Sequence, residues 1–248
     1  MRLLIAPSLQ DFYQQSAWMI ARQIIERPAS VVGFATGRTT TGIHEALADI
    51  YRTYRFNTSC MTAFGMDEIT GVPRTYFGAC YDMLLHQVVE PLEIPMENYL
   101  MPPTCAQDMR AECGKFSCAL AARGGIDFQE LGIGENGHMG FNQPGTPFDS
   151  TIMLGEMDER LNQRIHHETG IPMEEHLGGI TLGIKDIMQA RHIMLCANGV
   201  NKMDIVEEAL FGPVTTKVPT SILQLHPNVD VILDPEAGRK VRKHIIKK

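Results

Sequence analysis

Residues 126–146 read IDFQELGIGENGHMGFNQPGT. Ile126, Phe128 and Leu131 give the opening of this stretch the apolar spacing of a strand in a covered sheet. Gly132, Gly134, Gly137 and Gly140 follow, with His138 set among them. Glycines this dense let a backbone turn sharply and approach a ligand, and a histidine held there can transfer protons near neutral pH. Open α/β sheets bind their ligands in loops at the carboxyl ends of strands. Gly132 to Gly137 also match G-x-G-x-x-G, the dinucleotide fingerprint. That fingerprint needs a helix from its third glycine and an acid about 20 residues on, at the end of a strand. Pro144 and Gly145 interrupt any such helix, and Asp149 and Asp158 follow no apolar strand. The nucleotide reading is therefore set aside.

Working outward, 10–26 predicts an amphipathic helix through Phe12, Ala17, Ile20, Ala21 and Ile24. Val31–Ala35 is a buried strand by length and leads into Thr36-Gly37-Arg38-Thr39-Thr40-Thr41-Gly42, followed by a helix. A strand, a Gly/Thr loop and a helix amino terminus form a place for an anion, since free amides and the helix dipole point at it. The alternative is that Thr39 or Thr40 only caps the helix; Arg38 favours an anion such as phosphate. Residues 60–66 predict a strand ending at Asp67-Glu68, which read either as a general base with its neighbour or as loop acids. Helices are expected over 75–92 and 105–123, and strands at 192–197 and 229–233. Lys202 opens a helix after the strand at 192–197 and is a second candidate phosphate ligand. Residues 147–177 are polar and weakly periodic and read as a lid-like excursion. Strands alternating with helices imply an α/β fold, a doubly wound, mostly parallel sheet flanked by helices, in one domain over 1–248.

Composition narrows the classes. The chain has 248 residues, 44% hydrophobic and 21% charged, enough for a full core. A net charge of −7 argues against a nucleic-acid surface, and the basic tail 239–248 reads as a solvated terminal helix. No pair of the six cysteines has C-x-x-C spacing, and no apolar run reaches membrane-spanning length. Together with an amino terminus unlike a secretory signal, this predicts a cytoplasmic protein with reduced thiols.

The motifs together resemble the glucosamine-6-phosphate deaminase family, and within it the galactosamine-6-phosphate isomerase branch. The resemblance runs through Thr36-Gly37-x-Thr39, Met66-Asp67-Glu68, residues 132–144, Gly179-Ile180-Thr181-Leu182-Gly183 and Leu223-x-Leu225-His226. It implies a Rossmann-like fold and a hydrolase/isomerase that turns an amino-sugar phosphate into a ketohexose 6-phosphate and ammonia. The sugar's own amine supplies the chemistry, with no metal or organic cofactor. Asp67 would be the base, His138 the group that opens the ring, with Asn136 and Gln143 around it. Thr36, Gly37, Arg38, Thr39, Glu68, Gly137 and Lys202 would contact substrate, and Arg164, His166 and His167 are candidates for a phosphate clamp. The partner is a small amino-sugar phosphate, not nucleic acid or membrane, and a homo-oligomer is an open expectation.

Asn136 and Gln143 stand where the glucosamine branch has an aspartate and a glutamate, which would leave the imidazolium of His138 less favoured. Glu135 is the candidate substitute, from a different direction. Two other readings share these residues: a 6-phosphogluconolactonase, and a sugar-phosphate-binding protein with weakened catalysis. Arg38 replaces a glycine of the family's loop. The basic pair that binds the activator in allosteric deaminases corresponds to Met153 and Gly155. N-acetylglucosamine 6-phosphate is therefore expected to leave the rate curve unchanged; a sigmoidal curve that it makes hyperbolic would refute this.

Overall fold

Ile193–Ala197 is apolar at every position and wholly buried. A strand with no polar face has to be covered on both sides, which is the situation in a parallel sheet sandwiched by helices. The computed structural model, which describes residues 1–157 and 159–245, has this arrangement. Seven parallel strands form the main sheet: β1 (Arg2–Ile5), β2 (Val31–Phe34), β3 (Thr62–Gly65), β5 (Tyr99–Leu100), β6 (Phe128–Gly132), β9 (Ile193–Ala197) and β10 (Val229–Leu233). Their spatial order is β1-β10-β9-β6-β2-β3-β5. The chain builds outward from β2 through β3 to β5, returns beside β2 as β6, and then builds the other way. The junction of β2 and β6 is therefore the switch point, where such sheets place ligands.

Alternate residues of each strand feed two cores. Leu131, Ile193, Leu195 and Val231 pack on α4 (Met109–Ala122), α6 (Ile184–Met188) and α7 (Met203–Phe211). Phe128, Met194, Cys196 and Ile232 pack on α1 (Leu9–Glu26) and α2 (Arg38–Tyr54). The edge strand β1, absent from the sequence reading, is held by the Arg2 guanidinium, which donates two 2.5 Å hydrogen bonds to Asp230.

Other boundaries differ for local reasons. The helix expected over 75–92 is α3 (Cys80–Leu84) with a π-helical continuation at Leu85–Val89; 75–79 forms turns. The helix expected from 105 begins at Met109, because Asp108 caps it by accepting from the amides of Arg110 and Ala111. Residues 147–177 are not an irregular excursion. They contain β7 (Met153–Gly155) and α5 (Glu159–Thr169), and β7 joins β4 (Asp67–Thr70) and β8 (Gly178–Thr181) in an antiparallel sheet, order β4-β8-β7. Ile165 of α5, Ile69 of β4 and Phe141 share a third core there. Gly179 lies under the Phe141 ring; a Cβ there would stand 2.4 Å from it.

The basic tail is not simply solvated. Lys240 pairs with Asp204, and Lys243 and His244 of α8 (Arg242–Ile245) pair with Glu207; residues 246–248, and Asp158, lie outside the described residues. Among the described residues no helix is long and apolar enough to cross a membrane.

Beneath the switch point lies a buried ion pair. His44 Nε2 is 2.9 Å from Glu130 Oε2, with both side chains fully buried, and His44 Nδ1 is 3.1 Å from Gln87 Oε1. Burial pushes the His44 imidazole down, but the charge of Glu130 and the bonds to Glu130 and Gln87 outweigh it and leave the pKa raised. Glu130 Oε2 also accepts from the Ala35 amide, one residue before Thr36. Removing one partner of such a pair strands the other's charge. His44→Ala is expected to lose about 3–5 kcal/mol in urea denaturation, and His44→Phe combined with Glu130→Leu to recover most of it. Equal losses in both variants would show that the pair does not hold this junction.

Candidate active site

Four loops meet at the carboxyl edge of the main sheet, after β2, β3, β6 and β9, and side-chain bonds tie them together. Thr39 Oγ1 donates to Asn198 Oδ1 at 2.6 Å, joining the β2 and β9 loops. Asn201 Nδ2 donates to Glu135 Oε1 at 2.7 Å, joining the β9 and β6 loops. Thr36 Oγ1 lies 3.2 Å from Cys80 Sγ, which is 3.7 Å from Asp67 Oδ1. The ends of β2 and β3 and the start of α3 thus converge on one carboxylate.

The glycine loop owes its shape to two close approaches. Gly134 lies flat under the His138 ring, where a Cβ would come within 2.1 Å of Cε1. Gly137 has φ +85°, and its carbonyl accepts from both the amide and the hydroxyl of Thr220 at 3.0 and 2.7 Å. No helix follows, so the fingerprint match carries none of the geometry a dinucleotide needs. Asn142, wholly buried, donates to the carbonyls of Met139 and Leu182 and locks the loop to the second sheet.

His138 is oriented by amides. Asn136 Oδ1 accepts from the His138 backbone N–H at 3.2 Å and lies 2.7 Å from Nδ1. The backbone N–H identifies that atom as the amide oxygen, which carries no proton, so Nδ1 must be the donor, and neutral His138 keeps its lone pair on Nε2. Asn136 Nδ2 donates to Gln143 Oε1 at 3.1 Å. The two amides thus form a chain that aims the ring. Glu135 is turned to Asn201 and is not the substitute carboxylate expected for His138. Its own pKa is lowered, first by Asn201 and then by Lys202, with Arg160 and Arg38 adding to it.

Arg38, the first residue of α2, and Arg160 and Lys202 all act on Glu135 and so lie on its side of the site. Burial pushes the Lys202 ammonium down while Glu135 opposes the shift. Neither Thr39 nor Thr40 caps α2: the cap residue is Gly37, without a side-chain bond, and Thr40 and Thr41 donate to its carbonyl. Arg160 was not among the candidates for the phosphate clamp. Of the residues that were, Arg164 lies 3.7 Å from Glu168, buried His166 faces the Ile171 carbonyl at 3.0 Å, and His167 is exposed.

Asp67 and Glu68, neighbours in sequence, have opposite surroundings. Glu68 is fully buried and accepts from the amides of Ile69, Cys80 and Tyr81 at 2.7–2.8 Å. It is an anchor for α3 and not, as its place beside Asp67 suggested, a group presented to a ligand. Asp67 is partly exposed, and its Oδ2 faces Gly140, where a Cβ would stand 3.1 Å away. Burial raises its carboxyl from 3.8 to about 6, against the lowering effect of the Cys80 thiol.

A family model described as "Glucosamine-6-phosphate isomerases/6-phosphogluconolactonase" matches residues 8–232. The chain is 40% identical over 235 residues to a glucosamine-6-phosphate deaminase of Lachnoclostridium phytofermentans, covering 94% of this chain and 98% of that one. It is 33% identical over 242 residues to one from Thermoanaerobacter pseudethanolicus, covering 96% and 94%. Among solved structures, a monomeric glucosamine-6-phosphate deaminase superposes with a TM-score of 0.89 at 28% identity, over 96% of this chain and 99% of that one. A 6-phosphogluconolactonase of Trypanosoma brucei, at 19% identity and TM-score 0.77 over 97% and 98%, shares the fold.

The raised carboxyl of Asp67 links stability to pH. A folded-state pKa above the unfolded value favours the fold while the group is protonated; that contribution is lost as pH rises from about 3.8 through about 6. Above pH 6 the ionised group costs stability, and Asp67→Asn removes the cost. The variant is expected to raise Tm at pH 8 and to raise it less at pH 5. A pH-independent difference would contradict the burial argument.

Proposed function

This chain belongs to the glucosamine-6-phosphate isomerase/6-phosphogluconolactonase family and is an amino-sugar phosphate deaminase/isomerase; we propose that Asp67 and His138 carry out its chemistry. The observation that carries the assignment is the contrast in surroundings: a partly exposed carboxylate of raised pKa, facing the loop whose histidine is aimed through Nδ1 by Asn136. Neutral His138 accepts the proton of the anomeric hydroxyl at Nε2 and returns it to the ring oxygen, opening the sugar. Asp67 then takes the proton from carbon two and delivers it to carbon one through an enolamine. The resulting imine at carbon two adds water and releases ammonia, leaving the ketose. The net change is an isomerisation coupled to loss of the amine, for which "hydrolase" is only a loose description.

The phosphate is held by the α2 amino terminus, whose amides point outward, with Thr36, Gly37 and Thr39 and the cations Arg38, Arg160 and Lys202. Glucosamine 6-phosphate is the substrate favoured by the relatives' names. The galactosamine epimer is the second reading, favoured by Asn136-Gly137-His138 and residues 179–186.

Ammonia release from the two epimers, measured side by side, tests the proposal and ranks them. Asp67→Asn is expected to lower kcat by about 10²–10⁴-fold, and kcat/KM of the parent to fall below pH of about 6, as the base protonates. Release that survives in the variant would remove Asp67 from the base role. Turnover of a 6-phosphogluconolactone without ammonia release from either sugar would favour the lactonase reading.

A further inference from the structure

We propose that Cys80 is a positioning residue for the base, its thiol joining the phosphate loop to Asp67; this rests on the role given to Asp67 above. Cys80 opens α3 and is buried, with Sγ 3.7 Å from Asp67 Oδ1 and 3.2 Å from Thr36 Oγ1. A thiol has one proton, and an ionised carboxylate can only accept. The S–H is therefore donated to Oδ1, which makes Thr36 the donor to sulfur. Two hydrogen bonds then run in one direction, from the loop after β2 to the carboxylate beginning β4.

The sulfur is placed from the backbone. Glu68 Oε1 accepts from the Cys80 amide at 2.8 Å, so the buried anchor of α3 also sets the position of the thiol. With Oδ1 of Asp67 tied, Oδ2 is the oxygen left facing Gly140 and the loop that carries His138. A proton shuttle between adjacent carbons needs one oxygen held in a fixed direction, since small misplacements of a reacting group cost much of the rate. The thiol serves as a donor and not as a nucleophile: burial, then the Asp67 and Glu68 carboxylates, push it well above its ordinary range, so it stays protonated.

A cysteine that merely fills space would act through volume alone; one that positions the base acts through its proton. Cys80→Ala removes both, Cys80→Ser keeps a donor, and Cys80→Val fills the space without one, standing in for alanine should the cavity prevent folding. Cys196→Ala, in a buried thiol beside Ser16, is the control. The first readout needs no substrate: the carboxyl titration of Asp67, taken as an infrared difference against Asp67→Asn. Loss of a donor to the charged form raises a carboxyl pKa. The midpoint is expected to rise by roughly half to one pH unit in Cys80→Ala or Cys80→Val, to stay near the parent in Cys80→Ser, and not to move in Cys196→Ala.

In the second readout, kcat for ammonia release is expected to fall about ten-fold in Cys80→Ala, with KM changed less than about two-fold and recovery in Cys80→Ser. An unmoved titration in Cys80→Ala and Cys80→Val, or the same shift in the serine variant, overturns the proposal. Because the titration is read without turnover, a parent protein that releases no ammonia would defeat the deaminase chemistry alone.

Discussion

Both carboxylate oxygens of Glu68 are taken by backbone amides, and much of the site depends on that. The amides of Cys80 and Tyr81 belong to the first turn of α3, where donors have no partner within the helix, and the cap residue Ala79 has no side chain to offer one. Glu68 supplies the acceptor from a different element. It fixes the start of α3 against β4, the direction of Cys80 beside Asp67, and the route of 71–79 over the second sheet. Burial pushes the Glu68 carboxyl up to about 7 even against three donated N–H groups. An anchor of this kind is costly, and it lies one residue from the proposed base.

The Asn136–Gln143 pair separates two roles that a carboxylate would combine. An aspartate beside a histidine fixes its tautomer and favours its charged form. An asparagine oxygen fixes the tautomer as well, because it too can only accept from Nδ1, but it brings no full charge. Asn136 therefore supplies aim without a charge of its own, which suits the role proposed for His138, a histidine that begins neutral to accept the ring proton. The nearest carboxylate in sequence, Glu135, is engaged instead with Asn201 and acted on by Lys202, Arg160 and Arg38.

The sequence made some of this legible and hid the rest for identifiable reasons. β2 and β9 are apolar runs too short for helices, β6 and β10 set polar residues among apolar ones, and the loops after β2, β6 and β9 hold the residues that the glycines, threonines and lone histidine pointed to. β4, β7 and β8 form a small antiparallel sheet of three- and four-residue strands. Gly155, Gly178 and Gly179 break the side-chain alternation of β7 and β8, so periodicity had little to detect there. Glu68 could not be told from Asp67, since adjacent acids differ in sequence by nothing that says which amides reach them. Arg160 belonged to a polar helix whose facing was unknown. His44 and Glu130 are 86 positions apart, and a polar residue inside a core shows in sequence only once its partner is known.

The placement of Asp67 also explains why this edge of the sheet is built from so many cross-links between loops. A base for carbon-bound protons works best with its pKa near the working pH, and burial is what raises a carboxyl to that range. Burial of an ionised group costs stability, so the surrounding chain must hold a conformation that Asp67 itself disfavours at neutral pH. Thr39 to Asn198, Asn201 to Glu135, Thr220 to Gly137 and Glu68 to Cys80 each join segments distant in sequence. Their combined effect is to brace the four loops from outside the cleft, with Oδ2 of Asp67 facing Gly140 and the loop that carries His138.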